Sequence, residues 1–169
     1  MITICDTGPL VAYLNHNDPY HAWAVAVMKH VRPPLLTCEA VLTEAAYFLR
    51  EDDLDIDPLF QLLERDALRV DFDLSVHWSR VRTLMARYHQ MDLADASIVV
   101  MSERHRRCQV LTVDRTDFSI YRRNDRSSIS SRRASAEGQE PFGTRRGNAC
   151  NAIRSRSPSA GARSFRNKP

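Results

Sequence analysis

The sequence predicts an α/β domain built on a central, mostly parallel sheet of four to five strands. Two observations carry that expectation. Short β-rich apolar runs alternate along the chain with longer segments whose apolar residues recur at the helical period. The composition also breaks near residue 121: before it the chain is dense in Leu, Val, Ala, Ile and Met, and after it Arg, Ser, Gly, Asn and Pro dominate. Residues 1–121 carry 12 Lys and Arg against 18 Asp and Glu, net −6, whereas residues 122–169 carry 12 against 3, net +9. A segment that polar buries too little apolar surface to offset its ordering entropy. The folded domain is therefore placed at 1–123, and 124–169 is read as a disordered, basic, Arg/Ser-rich tail.

The elements follow in order. Residues 1–5 form a β-rich run ending in Asp6-Thr7-Gly8-Pro9. Asp or Thr ahead of a Pro in the first turn caps a helix, so a strand runs directly into a helix over 10–14. Asp18-Pro19 opens a second helix to about residue 31, with Ala22, Trp23, Ala26 and Val27 as its inner face. Arg32-Pro33-Pro34 breaks it, and 35–37 reads as the second strand. Residues 39–50 are helical, since Val41, Leu42, Ala45, Ala46, Phe48 and Leu49 recur at that period. A helix over 58–65 and a third strand over 68–72 come next. Residues 76–88 are helical with Val81, Leu84, Met85 and Tyr88 on one side, and another helix covers 93–105. Residues 110–113 are the fourth strand and 118–121 a candidate fifth.

Several function classes are set aside. No apolar stretch approaches the roughly 20 residues that span a bilayer, and no basic segment precedes the first strand, so the chain reads as cytoplasmic with no membrane partner. Cys5, Cys38, Cys108 and Cys150 have no CxxC spacing and read as reduced, mostly buried thiols. The six histidines show no zinc-site spacing. Trp23 and Trp78 fit amphipathic core positions. Arg104, Arg106 and Arg107 cluster at a helix C-terminus, where the dipole favours cations and where contact with an RNA backbone is the functional alternative. A haloacid-dehalogenase-type phosphotransferase would need a second Asp where Gly8 stands.

Four carboxylates resist a surface explanation. Asp6 ends the first strand and Asp114 follows the fourth. In a parallel sheet ligands bind beyond the carboxyl ends of strands, so both are candidates for one crevice; helix capping and turn formation are the alternatives. Glu44 lies about 40° from Phe48 and about 60° from Val41 on its helix, at the edge of the apolar face. Asp95 falls within Leu-Ala-Asp-Ala-Ser-Ile-Val-Val-Met, a helix apolar nearly all round, where an ionised group is costly unless paired or bound to a cation. Its alternative is a capping box, with Asp92 as N-cap and Asp95 at N3. Acids that converge without arginines repel one another, and a divalent cation removes the repulsion. All-oxygen donors select Mg²⁺ or Mn²⁺, and such a metal suits phosphodiester hydrolysis.

The order of these pieces resembles the PIN-domain family, and within it the VapC-type toxin ribonucleases of type II toxin–antitoxin pairs. The resemblance runs from residue 2 to about 123. It rests on Ile4-Cys5-Asp6-Thr7-Gly8-Pro9-Leu10, on Glu44, on Met91-Asp92-Leu93-Ala94-Asp95-Ala96, and on Leu111-Thr112-Val113-Asp114 followed by Asp117-Phe118. It implies a three-layer α/β/α fold in which Asp6, Glu44, Asp95 and Asp114 are the catalytic, metal-holding acids. Thr7 and Thr112 would be supporting hydroxyls, with Asp92 and Asp117 as auxiliary acids. The implied activity is a Mg²⁺- or Mn²⁺-dependent endoribonuclease that leaves a 5′-phosphate and a 3′-hydroxyl. It further implies a homodimer inhibited by a cognate antitoxin protein. The tail departs from the family pattern, and reads either as the product of a shifted frame or lost stop codon, or as a basic arm for RNA. The alternative to a nuclease is a non-catalytic RNA- or partner-binding module, or a toxin inactivated by its altered C-terminus.

Overall fold

A computed structural model describes residues 1–105, 107–114, 120–124 and 127–132. Its elements run β1 (Ile2–Cys5), α1 (Thr7–Leu14), α2 (His21–Met28), β2 (Leu35–Thr37), α3 (Glu39–Glu51), α4 (Asp57–Glu64), β3 (Leu68–Val70), α5 (Leu74–Arg87), α6 (Leu93–Arg104), β4 (Cys108–Leu111), β5 (Arg122–Arg123), β6 (Ser127–Ser128) and β7 (Ser131–Arg132). Five of these strands make the central sheet, in the order β3-β2-β1-β4-β7, with every neighbouring pair parallel. Parallel neighbours need crossovers, and the helices that supply them sandwich the sheet into a three-layer α/β/α domain. β1 and β4, at the centre, are apolar and buried almost throughout, as strands covered on both faces must be.

The winding positions the functional end. From β1 the chain steps outward to β2 and β3, then crosses back to pair β4 on β1's other side. The strand order reverses between β1 and β4, so a crevice opens beyond their carboxyl ends. Their register sets Cys5 opposite Leu111, and the Asp6 N–H donates to Leu111 O at 3.0 Å. Asp6 and Thr112 therefore leave the sheet side by side.

The core explains α6. Every residue from Ala94 to Ser102 is buried, as the absence of a polar face predicts, because α6 packs against β1, β4, α3 and α5. Ile4, Leu49, Leu84, Ile98, Met101 and Leu111 are among the largest side chains sealed inside. Cys5, Cys38 and Cys108 are buried free thiols, and Cys150 lies outside the described residues.

Four expectations need correction. The inner face of α2 centres on Ala24, flanked by Trp23 and Val27, while Ala22 and Ala26 are exposed. The helix begins at His21, not at Pro19, and it is apolar nearly all round, so spacing alone does not choose its inner face. Trp78 is 56% exposed, because α5 buries Val81 and Leu84 instead. Ile120 and Tyr121 are not in a strand, and Phe118 lies outside the described residues; the fifth sheet strand is β7. Finally, residues 127–132, assigned by composition to the tail, belong to the fold. β7 closes the edge of β4: the Val110 N–H donates to Ser130 O at 2.8 Å, and Ile129 is buried against the core. An average over the 48 residues from 122 to 169 hides a two-residue strand whose contribution is backbone hydrogen bonding.

Candidate functional site

Asp6 follows β1 and serves as N-cap of α1, its Oδ1 accepting from the Thr7 N–H at 2.7 Å. Its other oxygen, Oδ2, accepts from the Thr112 hydroxyl at 2.8 Å. That hydroxyl in turn accepts from the Asp114 N–H at 2.9 Å. On the other side, the Thr7 hydroxyl donates to Glu44 Oε2 at 2.7 Å, bridging the start of α1 to the second turn of α3. One chain of hydrogen bonds thus joins Asp6, Thr7, Glu44, Thr112 and Asp114. Asp6, Thr7 and Thr112 are fully buried, whereas Glu44 and Asp114 reach partway to solvent.

Capping and site formation coexist here. Asp6 caps its helix and still presents a carboxylate at the switch point. Asp92 is the N-cap of α6, accepting from the Asp95 N–H at 2.8 Å, so the capping arrangement expected for this pair exists. It uses the backbone of Asp95 and leaves its carboxylate, 1% exposed, for other partners. One of these is Tyr121, whose hydroxyl lies 3.3 Å from Asp95 Oδ2. Asp117 lies outside the described residues.

Two side chains that sequence reasoning passed over bind this neighbourhood together. Cys38, at the end of β2, sits between Asp6 and Ser97 of α6. Burial pushes its thiol up to about 11, the negative charge of Asp6 adds to that, and a hydrogen bond with Ser97 opposes it. Burial, with Asp6 again adding, also raises Cys5. Tyr121 is fully buried, meets Tyr88 edge-on at 5.2 Å, and links the chain beyond β4 to Asp95. Nothing local in the sequence distinguishes it from a core tyrosine.

Gly8 has a positional reason as well. A methyl group there would lie 2.3 Å from Val113 Cγ2. The first turn of α1 therefore meets the end of β4 closely enough to align Asp6 with Thr112 only without a side chain.

Beside the acids, a cavity of about 430 Å³ opens between α3, α5 and α6, lined by Thr43, Phe72, Asp73, Leu93 and Ser97 among others. The side chains joined to Asp6 by hydrogen bonds offer oxygen atoms, which suit a hard divalent cation rather than zinc. Among the described residues, no three His, Cys, Asp or Glu side chains stand close enough to hold a metal ion as they lie. Asp6 and Glu44 are instead engaged by the hydroxyl and amide donors named above. No helix among those residues is long and apolar enough to cross a membrane.

Residues 3–124 match the family described as PIN domain. No curated protein matches the chain.

Proposed function

Because the chain belongs to the PIN-domain family, whose members are generally nucleases, we propose that it is a metal-dependent endoribonuclease acting as the toxin of a toxin–antitoxin pair. The observation that carries this reading is the line of hydrogen bonds that joins Glu44, Asp6 and the Asp114 amide at the β1/β4 switch point; Asp95 is buried on α6, where it meets Tyr121. Asp6, Glu44, Asp95 and Asp114 are the residues that would hold Mg²⁺ or Mn²⁺. When bound, such a cation supplies an activated water and neutralises charge developing on the phosphate oxygens.

The chain's own residues orient the acids. Thr7 and Thr112 fix both oxygens of Asp6, through an amide and a hydroxyl, so its plane is set by two different elements. The Thr7 hydroxyl holds Glu44 towards α1, and Tyr121 holds Asp95. Substrate would be single-stranded or looped RNA, and a cognate antitoxin and a second copy of this chain would be its protein partners.

The test is cleavage of total bacterial RNA by the purified chain with and without Mn²⁺, beside Asp95→Asn. Discrete, metal-dependent fragments that vanish in the variant support the nuclease. RNA binding that is indifferent to chelation and unaccompanied by cleavage would replace it with a binding module.

A further inference from the structure

The amino ends of β1, β2 and β4, with the adjoining face of β2 and β3, border a second cavity of about 610 Å³. Arg32 precedes β2, Arg107 precedes β4, and Arg69 stands on β3 in register with Leu36 of β2; all four residues line the cavity. Arg32 and Arg107 are exposed, and neither makes an ion pair among the described residues. Arg69 shares its charge with Asp66. The one carboxylate among the lining residues named, Asp71, is engaged by His105 Nε2 at 2.7 Å, lies 3.9 Å from Arg104 and acts on Arg69, so three guanidiniums outnumber it around the cavity.

This grouping runs against the charge of its surroundings. Residues 1–121 are net −6, yet three arginines gather around one concavity. Like charges around a low-dielectric wall focus a positive potential and repel one another, and an anion in the cavity relieves that. The planar guanidinium fork matches phosphate oxygens bidentately, which a lysine cluster would not. The volume exceeds what a bare phosphate needs, and buried Leu36 provides an apolar wall for the rest of a nucleotide.

We propose that this cavity binds the phosphate of a nucleotide, at a site separate from the acids and at the other end of the sheet. The site does not depend on the nuclease reading, since it binds without cleaving. Its phosphate has two sources of the same chemistry, a free mononucleotide or the backbone of a single-stranded RNA.

The experiment titrates the full-length chain, in EDTA at low salt, with adenosine 5′-diphosphate and separately with a ten-nucleotide single-stranded RNA. Wild type is compared with the double variant Arg32→Gln/Arg107→Gln and with Asp6→Asn, and thermal melts confirm that each is folded. The double variant is expected to weaken binding at least tenfold, while Asp6→Asn leaves it unchanged. Weakened binding of the diphosphate identifies a mononucleotide site. If only RNA binding weakens, with its log K against log salt slope reduced by roughly 1.4 for two lost contacts, the backbone is the source. No binding to wild type, equal affinities in wild type and double variant, or loss only in Asp6→Asn would each overturn the proposal.

Discussion

Truncation of the C-terminal segment tests the architecture most directly. Cutting after Arg123 removes β6 and β7, whereas cutting after Arg132 retains every element described. The shorter chain loses the β5–β6 pairing and, at the sheet edge, the bonds from Val110 N–H to Ser130 O at 2.8 Å and from Thr112 N–H to Arg132 O at 3.3 Å. At a net 0.5–1.5 kcal/mol each, the two edge bonds contribute roughly 1–3 kcal/mol. Ile129, 6% exposed, adds about 1.5–3 kcal/mol of buried side chain. The sum, about 3–6 kcal/mol, is a large share of the roughly 5–15 kcal/mol that stabilises a typical domain. At roughly 4 °C per kcal/mol for a chain of this size, the 1–123 protein should melt some 12–24 °C below the 1–132 protein. Urea unfolding and thermal melts of the two truncations decide it. A difference below about 3 °C would mean that β7 contributes no stability and that the edge of β4 stands alone. A nuclease assay on the same pair adds a second readout, because the Thr112 that holds Asp6 is itself tied to Arg132.

Three further outcomes follow from named contacts. Gly8→Ala places a methyl 2.3 Å from Val113 Cγ2 and should cost about 1–3 kcal/mol in urea unfolding; a melt equal to wild type would show that the α1–β4 approach can relax freely. Thr112→Val removes the hydroxyl that serves both Asp6 and the Asp114 N–H, and should cost about 1–3 kcal/mol together with the proposed RNA cleavage, whereas Thr112→Ser retains both. Burial, with Asp6 adding, raises the folded Cys38 thiol from the ordinary 9.0 to about 11. The folded state therefore keeps a proton that the unfolded chain releases first. That contribution is full below pH 9 and is lost as the pH rises towards 11; Cys38→Ser should flatten the fall in stability across that window, and an unchanged alkaline profile would show that the thiol is not buried as described.

Much of the fold was legible in the residues. The short apolar runs and the period-3.6 segment located β1, β2 and α3 to within a residue or two, because the strands are buried on both faces and α3 buries one apolar stripe. The candidate acids stood out for a different reason. Asp95 interrupts a helix with no polar face, and Asp6 and Asp114 close apolar strands, so their burial or clustering could be expected before any contact was known. The face of α2 was misjudged because its eight residues are apolar nearly all round, so spacing does not choose which side meets the core; Trp78 stands about 60° from Val81 and about 120° from Leu84, at the edge of the stripe α5 buries.

What the sequence by itself determined is the α/β class and the mostly parallel sheet, since these follow from local periodicity; Asp6, Glu44, Asp95 and Asp114 it put forward as candidates. Only the tertiary structure decided which groups hold those acids. Thr112 and Asp6 are 106 positions apart, and Tyr121 and Asp95 are 26 apart. Their pairing depends on the register of β1 with β4 and on the chain returning along β7. Register and edge pairing are set by backbone hydrogen bonds, which every residue type except proline can donate. A short Ser-Arg strand therefore leaves no mark in composition, although it completes the sheet beside the site.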